Sequence, residues 1–234
     1  MPELAPDALL ACWERARGRH PLDRALLLYS VAAPDRDPSL LAEQPLGRRN
    51  EALLRLRQSL FGDALGCCVD CPCCGERLEF SLRASSLLAL DRDDAADVEL
   101  DGLRFRLPTT RDLARIAGES EENAGAQKLL QLLIEPDQPI DAGSMERLAE
   151  PLTRALGAAD PCLDFALELA CPACAHSWTA SFDIAAHLWG EIDARSRRLL
   201  DEIHILARSY GWSERAILEL SDARRMAYLE RAMA

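Results

Sequence analysis

Hydrophobic positions recur along this chain with two periods, and each change of period marks out a segment. The opening sixty residues are helical in spacing: Pro6 to Arg17, Leu22 to Ala33, and most clearly Leu46 to Phe61 ahead of Gly62. In the third of these, Leu46, Asn50, Leu53, Leu54, Leu56 and Leu60 share one side, and Arg48, Arg49, Arg55 and Arg57 are expected to stay in water. Pro34-Asp35-Arg36-Asp37-Pro38 is turn chemistry between helices. The period then drops to two. Leu78, Phe80 and Leu82 alternate after Cys67-Cys68-Val69, and Phe165, Leu167 and Leu169 alternate ahead of Ser177 to Phe182. Each set predicts a hairpin.

The stretch between the hairpins opens with an acidic run, Asp91 to Asp97, and alternates again from Val98 to Leu107 around Asp101-Gly102, a hairpin signal. Pro108 ends it. Thr109 or Thr110 can cap a helix carrying Leu113 and Ile116, and Gln127 to Ile134 and Met145 to Leu156 follow as amphipathic helices. Beyond the second hairpin, Leu188, Ile192, Leu199, Ile203, Leu206 and Tyr210 define one long helix from Ile184 that Gly211 stops. Ser213 can cap a short helix with Ile217 and Leu218, and Ser221 a last one carrying Met226, Tyr228, Leu229 and Met233.

Four of the nine cysteines sit at the tips of the two principal hairpins, as Cys71-Pro72-Cys73-Cys74-Gly75 and Cys171-Pro172-Ala173-Cys174. A tight turn with two residues between sulfurs points both thiolates at one tetrahedral ion, and two such turns complete its coordination sphere. Cys71, Cys74, Cys171 and Cys174 are therefore expected to hold a structural Zn(II), since four thiolates leave no open position for a catalytic water. Cys67, Cys73 or His176 could replace a ligand. Otherwise Cys12, Cys67, Cys68, Cys73 and Cys162 are assigned to packing, because free cysteine behaves as a small hydrophobe.

The expected fold is α+β and helix-rich. An N-terminal helical arm (1–62) precedes the first half of a split zinc ribbon (63–82), and a small inserted α/β subdomain (83–161) separates it from the second half (162–183). A C-terminal helical hook (184–234) ends the chain. With 49% hydrophobic and 28% charged residues, the chain is too apolar for disorder and has material for a core. Its longest uncharged apolar run, Ala25 to Pro34, is half of the roughly 20 residues a membrane helix needs. An acidic N-terminus, where a secretory signal carries base, predicts a cytoplasmic protein whose thiols stay reduced.

Two functional readings find weak support in the residues. Ala207, Gly211 and Ile217 stand at helix-turn-helix spacing, yet Glu214 to Leu220 offers two acids and one base to a phosphate backbone. With a net charge of -12, and eight arginines against eight acids from Glu191 onward, packing accounts better for that spacing. The four histidines are dispersed, and neither a phosphate loop, an HExxH helix nor a Gly-x-Ser-x-Gly elbow occurs. Acidic runs such as Glu119-Ser120-Glu121-Glu122 read as solvated loops. A non-enzymatic protein is expected.

The tail Glu202 to Leu220 contains a Tyr210-Gly211-Trp212 turn and an Ile217-Leu218-Glu219-Leu220 step, and Arg224-Arg225-Met226-Ala227-Tyr228-Leu229 follows. Together with Arg106-Leu107-Pro108-Thr109-Thr110-Arg111-Asp112-Leu113, these segments resemble the baseplate hub assembly chaperones of T-even-type contractile phages and related proteins of contractile injection systems. The resemblance covers about a quarter of the chain and implies assembly without catalysis. It implies baseplate, hub or spike proteins of a contractile tail as partners, and neither nucleic acid nor membrane. Tyr210, Trp212 and Tyr228 are the candidate docking residues, with closure of the core as their other role. The alternative function is a zinc-ribbon protein that binds nucleic acid or associates with transcription.

Overall fold

Proline sets the start of the first two helices, α1 (Pro6–Ala16) and α2 (Pro21–Ala32), at the first-turn position whose N–H a helix does not use. A 3-10 turn, Pro38–Glu43, leads to α3 (Leu46–Phe61), which ends at Gly62 with φ +85°. The computed structural model describes residues 4–90, 97–119, 121–135, 138 and 140–233. The first hairpin pairs β1 (Ala64–Asp70) with β2 (Arg77–Arg83) and continues into the short α4 (Ala84–Leu88). The insertion holds β3 (Asp97–Leu100), β4 (Leu103–Arg106), α5 (Thr110–Ile116), α6 (Glu122–Leu133) and α7 (Ala142–Ala159). A second hairpin, β5 (Phe165–Ala170) with β6 (Ser177–Phe182), runs into α8 (Ile184–Tyr210), and α9 (Glu214–Leu218) and α10 (Asp222–Met233) complete the hook. The fold is α+β and helix-rich, and its described sheets are three separate antiparallel pairs. The acidic run from 91 to 96 lies outside the described residues.

Turn chemistry fixes the boundaries. Asp101 and Gly102 both take positive φ, as a two-residue hairpin turn requires. Thr109 is the cap of α5: its hydroxyl receives the Asp112 N–H while Asp112 Oδ2 accepts the Thr109 N–H at 2.9 Å, a reciprocal capping box. Gly211 ends α8 in the left-handed region, with its N–H on the Ala207 carbonyl at 2.9 Å. Ile217, three positions into the next helix assembly, is fully buried. Helix closure and packing thus account for the Ala207, Gly211 and Ile217 spacing.

Buried side chains form three clusters. Leu28, Leu53, Leu65, Phe165 and Leu188 belong to one that joins α1, α2 and α3 to the bases of both cysteine hairpins and the first half of α8. Phe105, Leu133 and Leu152 centre a second within the insertion. Leu199, Leu206, Ile217 and Leu229, with Leu10 from α1, join the second half of α8 to the hook.

Arg49 and Arg57 depart from expectation, for both are buried. They stand one helical turn to either side of Leu53, inside the apolar stripe, and a long guanidinium stem can occupy such a position when its head finds acceptors. Arg57 finds them at Glu191, at 2.6 and 2.8 Å, and at the Gly62 carbonyl at 2.7 Å. Arg49 donates to Asn50 Oδ1 and Thr110 Oγ1. Arg48 also has a partner, and Arg55 lies exposed against Glu51.

The insertion is fastened at the start of α3. Leu46 N–H donates to the Pro108 carbonyl at 2.9 Å, and Gly47 N–H to Asp160 Oδ2 at 3.1 Å. A buried carboxylate thus faces the open N–H groups of a helix N-terminus, where the backbone dipole favours negative charge. A Cβ on Gly47 would lie 1.8 Å from that carboxylate, so only glycine fits.

Two predictions follow from these contacts. Gly47→Ala should cost about 1–3 kcal/mol in urea unfolding, whereas Gly190→Ala, in α8 with nothing within 4 Å of its added Cβ, should gain about 0.5–1 kcal/mol. Burial opposes ionisation of Glu191, but the hydrogen bonds and charge of Arg57 and His187 outweigh it and hold its carboxyl at about 2, below the ordinary 4.5. Because the folded value is the lower one, this contribution is complete above pH 4.5 and is lost as pH falls through about 2. Urea midpoints measured across that range should fall less steeply in Glu191→Gln than in the parent protein.

Candidate metal centre

The two hairpins are copies in register. Residues offset by 100 positions correspond, Cys71 with Cys171, Cys74 with Cys174 and Leu82 with Phe182, and the alternation of buried and exposed positions from 65 to 84 is repeated from 165 to 184. Each tip closes by the same hydrogen bonds. Cys71 N–H donates to the Glu76 carbonyl at 2.8 Å and Gly75 N–H to the Cys71 carbonyl at 2.9 Å; Cys171 with His176, and Ala175 with Cys171, repeat this at 2.9 Å. The turn needs positive φ at its fourth step, which Gly75 supplies at +75° and Ala175 at +58°. Strand pairing, Asp70 with Arg77 and Ala170 with Ser177, carries both tips to one place.

There the four sulfurs of Cys71, Cys74, Cys171 and Cys174 lie within 4.8 Å of one another. Cys71 and Cys174 are 3.7 Å apart and Cys74 and Cys171 3.6 Å apart, each contact crossing between the hairpins. A metal–sulfur bond of about 2.3 Å places tetrahedral sulfurs about 3.8 Å apart, so these separations suit one shared ion. They exceed the roughly 2 Å of a disulfide, and all nine cysteines are free. Cys71 and Cys171 are buried while Cys74 and Cys174 reach the surface, so the centre is half covered.

The thiols of this group differ in how readily they ionise. Burial disfavours the Cys71 thiolate, but the Cys74 and Cys73 N–H groups and the facing thiols outweigh it and bring that thiol to about 7. Cys174 goes the other way: the His176 N–H lowers it, yet burial and three neighbouring thiols push it up to about 12. Four thiolates this close repel one another, and a bound cation lets them coexist by deprotonating each ligand outright. With four protein ligands the coordination sphere is closed, which is the arrangement of structural sites.

The remaining cysteines separate into two groups. Cys12 and Cys162 are buried and Cys67 is half-buried against the first core, as packing requires. Cys68 and Cys73 are exposed instead, because Cys68 stands opposite Glu79 on the solvent side of its hairpin and Cys73 lies at the tip between Cys71 and Cys74. Neither Cys67, Cys73 nor His176 joins the four-sulfur group among the described residues. The His176 ring stacks on Trp178, with centroids 5.8 Å apart.

Tyr210, Trp212 and Tyr228 also come together. Tyr210 stacks on Trp212 at 4.8 Å, and Tyr228 meets Trp212 edge-on at 4.8 Å and Tyr210 at 5.7 Å. Trp212 and Tyr228 pack partly into the hook core, whereas Tyr210 remains 37% exposed. Arg225, itself buried, fixes the hook beneath them through Glu202 at 2.6 Å, Asp222 at 2.5 Å and the Leu220 carbonyl at 3.2 Å.

Cobalt(II) titration should show thiolate-to-metal absorption saturating at one equivalent per chain. Cys174→Ser should weaken metal binding by about tenfold or more, while Cys73→Ser leaves it unchanged. Removing the metal with a chelator should strip amide protection from both hairpin tips together. The chain matches no family model, no curated protein and no solved structure in the comparisons made with each.

Proposed function

We propose that this protein is a non-enzymatic assembly chaperone or adaptor for the baseplate or hub of a contractile tail, stabilised by structural Zn(II). Zinc is preferred because a tetrahedral set of four thiolates suits a borderline-soft ion without redox chemistry, and because the separations across the hairpins match its bond length. The assembly role is supported chiefly by the aromatic group on the hook. Tyr210, Trp212 and Tyr228 form a rigid, partly exposed surface, and Met226 and Met233 lie exposed on α10 of the same hook. Aromatic side chains with adjoining apolar surface and a fixed backbone are what protein interfaces use as anchors. The Tyr-Gly-Trp turn and the Arg-Arg-x-x-Tyr-Leu ending, which carry the resemblance to hub assembly chaperones, build this same hook.

Affinity purification of the tagged protein from its native cells during tail assembly, with sedimented finished particles analysed alongside, tests the proposal. Hub, spike or baseplate subunits should be enriched in the purified complex, and Tyr210→Ala should reduce that recovery by about tenfold while urea unfolding stays unchanged. Recovery of polymerase or nucleic acid in their place, with retention that collapses as salt rises, would establish the nucleic-acid reading and overturn this one.

A further inference from the structure

Between the insertion and the N-terminal helices the fold leaves a cavity of about 580 Å³. Its walls are mostly aliphatic, with Leu22 and Leu46 from the helical arm, Leu130, Leu133 and Leu156 from the insertion, and Trp189 from α8. That size and lining are those of sites for small organic ligands. Polar groups are few, and they differ in setting. Asp164 and Asp183 are exposed at the margin and already engaged, Asp164 by the Ser181 hydroxyl and Asp183 as the cap of α8. Arg24 lies over the Trp189 ring at 5.0 Å.

Arg49 is the unusual member of the lining. Only 6% of it is exposed, and its guanidinium contacts are two with Asn50 Oδ1, at 3.2 and 2.9 Å, and one with Thr110 Oγ1 at 3.1 Å. Both acceptors are neutral. A guanidinium carries five N–H donors, so one on each terminal nitrogen remains beyond these three contacts. No carboxylate lies within ion-pair distance of it among the described residues, whereas the buried Arg57 pairs with Glu191, Arg225 with Glu202 and Asp112 with Arg106. Burial draws the Arg49 pKa downward, and the charges of Asp183 and Tyr29 oppose that shift in part. A cation held in an apolar wall by neutral oxygens is a costly arrangement that an anionic ligand would relieve.

We propose that this cavity is a binding site for a monocarboxylate with an apolar tail, its carboxylate forked on Arg49 and its hydrocarbon chain against the leucines of α3, α6 and α7. The planar guanidinium suits a carboxylate, since two parallel N–H donors meet two oxygens. The tail would fill space that lies between the helical arm and the insertion, so ligand binding would also fasten these two parts together. Nothing in this site uses the cysteine centre or the aromatic hook, and its success or failure is independent of the assembly role.

Decanoate below its micellar concentration is the probe, read by isothermal titration calorimetry and by the fluorescence of Trp189, with Trp189→Phe identifying that signal. Decanoate should bind at one site per chain, decanol about tenfold or more weakly, and Arg49→Gln should abolish the difference between them. Ala126→Trp, which places an indole at an exposed position of the lining, should block decanoate while leaving the urea midpoint unchanged and covers the case in which Arg49→Gln does not fold. Absence of decanoate binding, equal binding of the alcohol, or undiminished binding in Ala126→Trp would each overturn the proposal.

Discussion

A single buried stripe along α8 joins two of the three buried clusters among the described residues. Ile184, Leu188 and Ile192 belong to the core under the helical arm and the hairpins, while Leu199, Ile203 and Leu206, on the same face two turns later, belong to the core under the hook. α1 follows it, giving Leu9 to one core and Leu10 to the other. Burying one such side chain is worth about 1.5–3 kcal/mol, against about 0–1 for a solvent-exposed ion pair. The stripe therefore supplies the frame, and polar groups set its angles. Trp13 Nε1 donates to Asp193 at 2.6 Å, Arg57 forks onto Glu191, and Arg225 reaches Glu202, so that α1, α3 and α10 are each tied to α8 at one level.

The cysteine centre solves a different problem, since the two hairpins share no strand pairing and their tips are set 100 residues apart in the chain. Each hairpin is anchored at its base, by Leu65 and Phe165 in the first core, while the tips project away from it. Two-stranded hairpins are marginal in water, and an ion shared by the four sulfurs at the tips would give each the support that a third strand otherwise provides. A cross-link closing about 100 residues removes on the order of 4–5 kcal/mol of chain entropy from the unfolded state. The insertion begins and ends between the anchored bases, and its tie to α3 through Gly47 and Asp160 shares that constraint.

Period and turn chemistry locate most of the elements, because α8, the three hairpins and the Gly62 and Gly211 stops are each specified within a few residues of sequence. The four-sulfur set was equally legible, since Cys-x-x-Cys at two hairpin tips can converge in few ways. Three features were not. Arg49 and Arg57 look like solvent-facing charges until their partners are known, and Thr110 and Glu191 come from segments 61 and 134 residues away. Cys68 and Cys73 look like packing residues because composition carries no direction; which side of a hairpin faces water depends on the helices behind it. The starts of α6 and α7 also lie outside the apolar pattern, at Glu122 and Ala142, where first turns of small or polar residues hide them.

The residues on which the proposed assembly role rests divide by what they touch. Arg106 grips the buried Asp112 at 2.7 and 2.8 Å and the Leu132 carbonyl at 2.8 Å, and Asp112 in turn closes the Thr109 capping box. Arg225 and Leu229 do the same for the hook, one through ions and one through packing. These residues hold shape, so a chain can keep them while serving many different partners. Tyr210, exposed on its stack with Trp212, contributes less to the core than they do, and the same holds for Met226 and Met233. Selection for folding alone gives little reason to keep large apolar groups in water, where burial offers them about 1.5–3 kcal/mol each. Under the proposed assembly role a partner that covers them would supply that reason, and the rigidity imparted by Arg225 would lower the ordering cost of being covered.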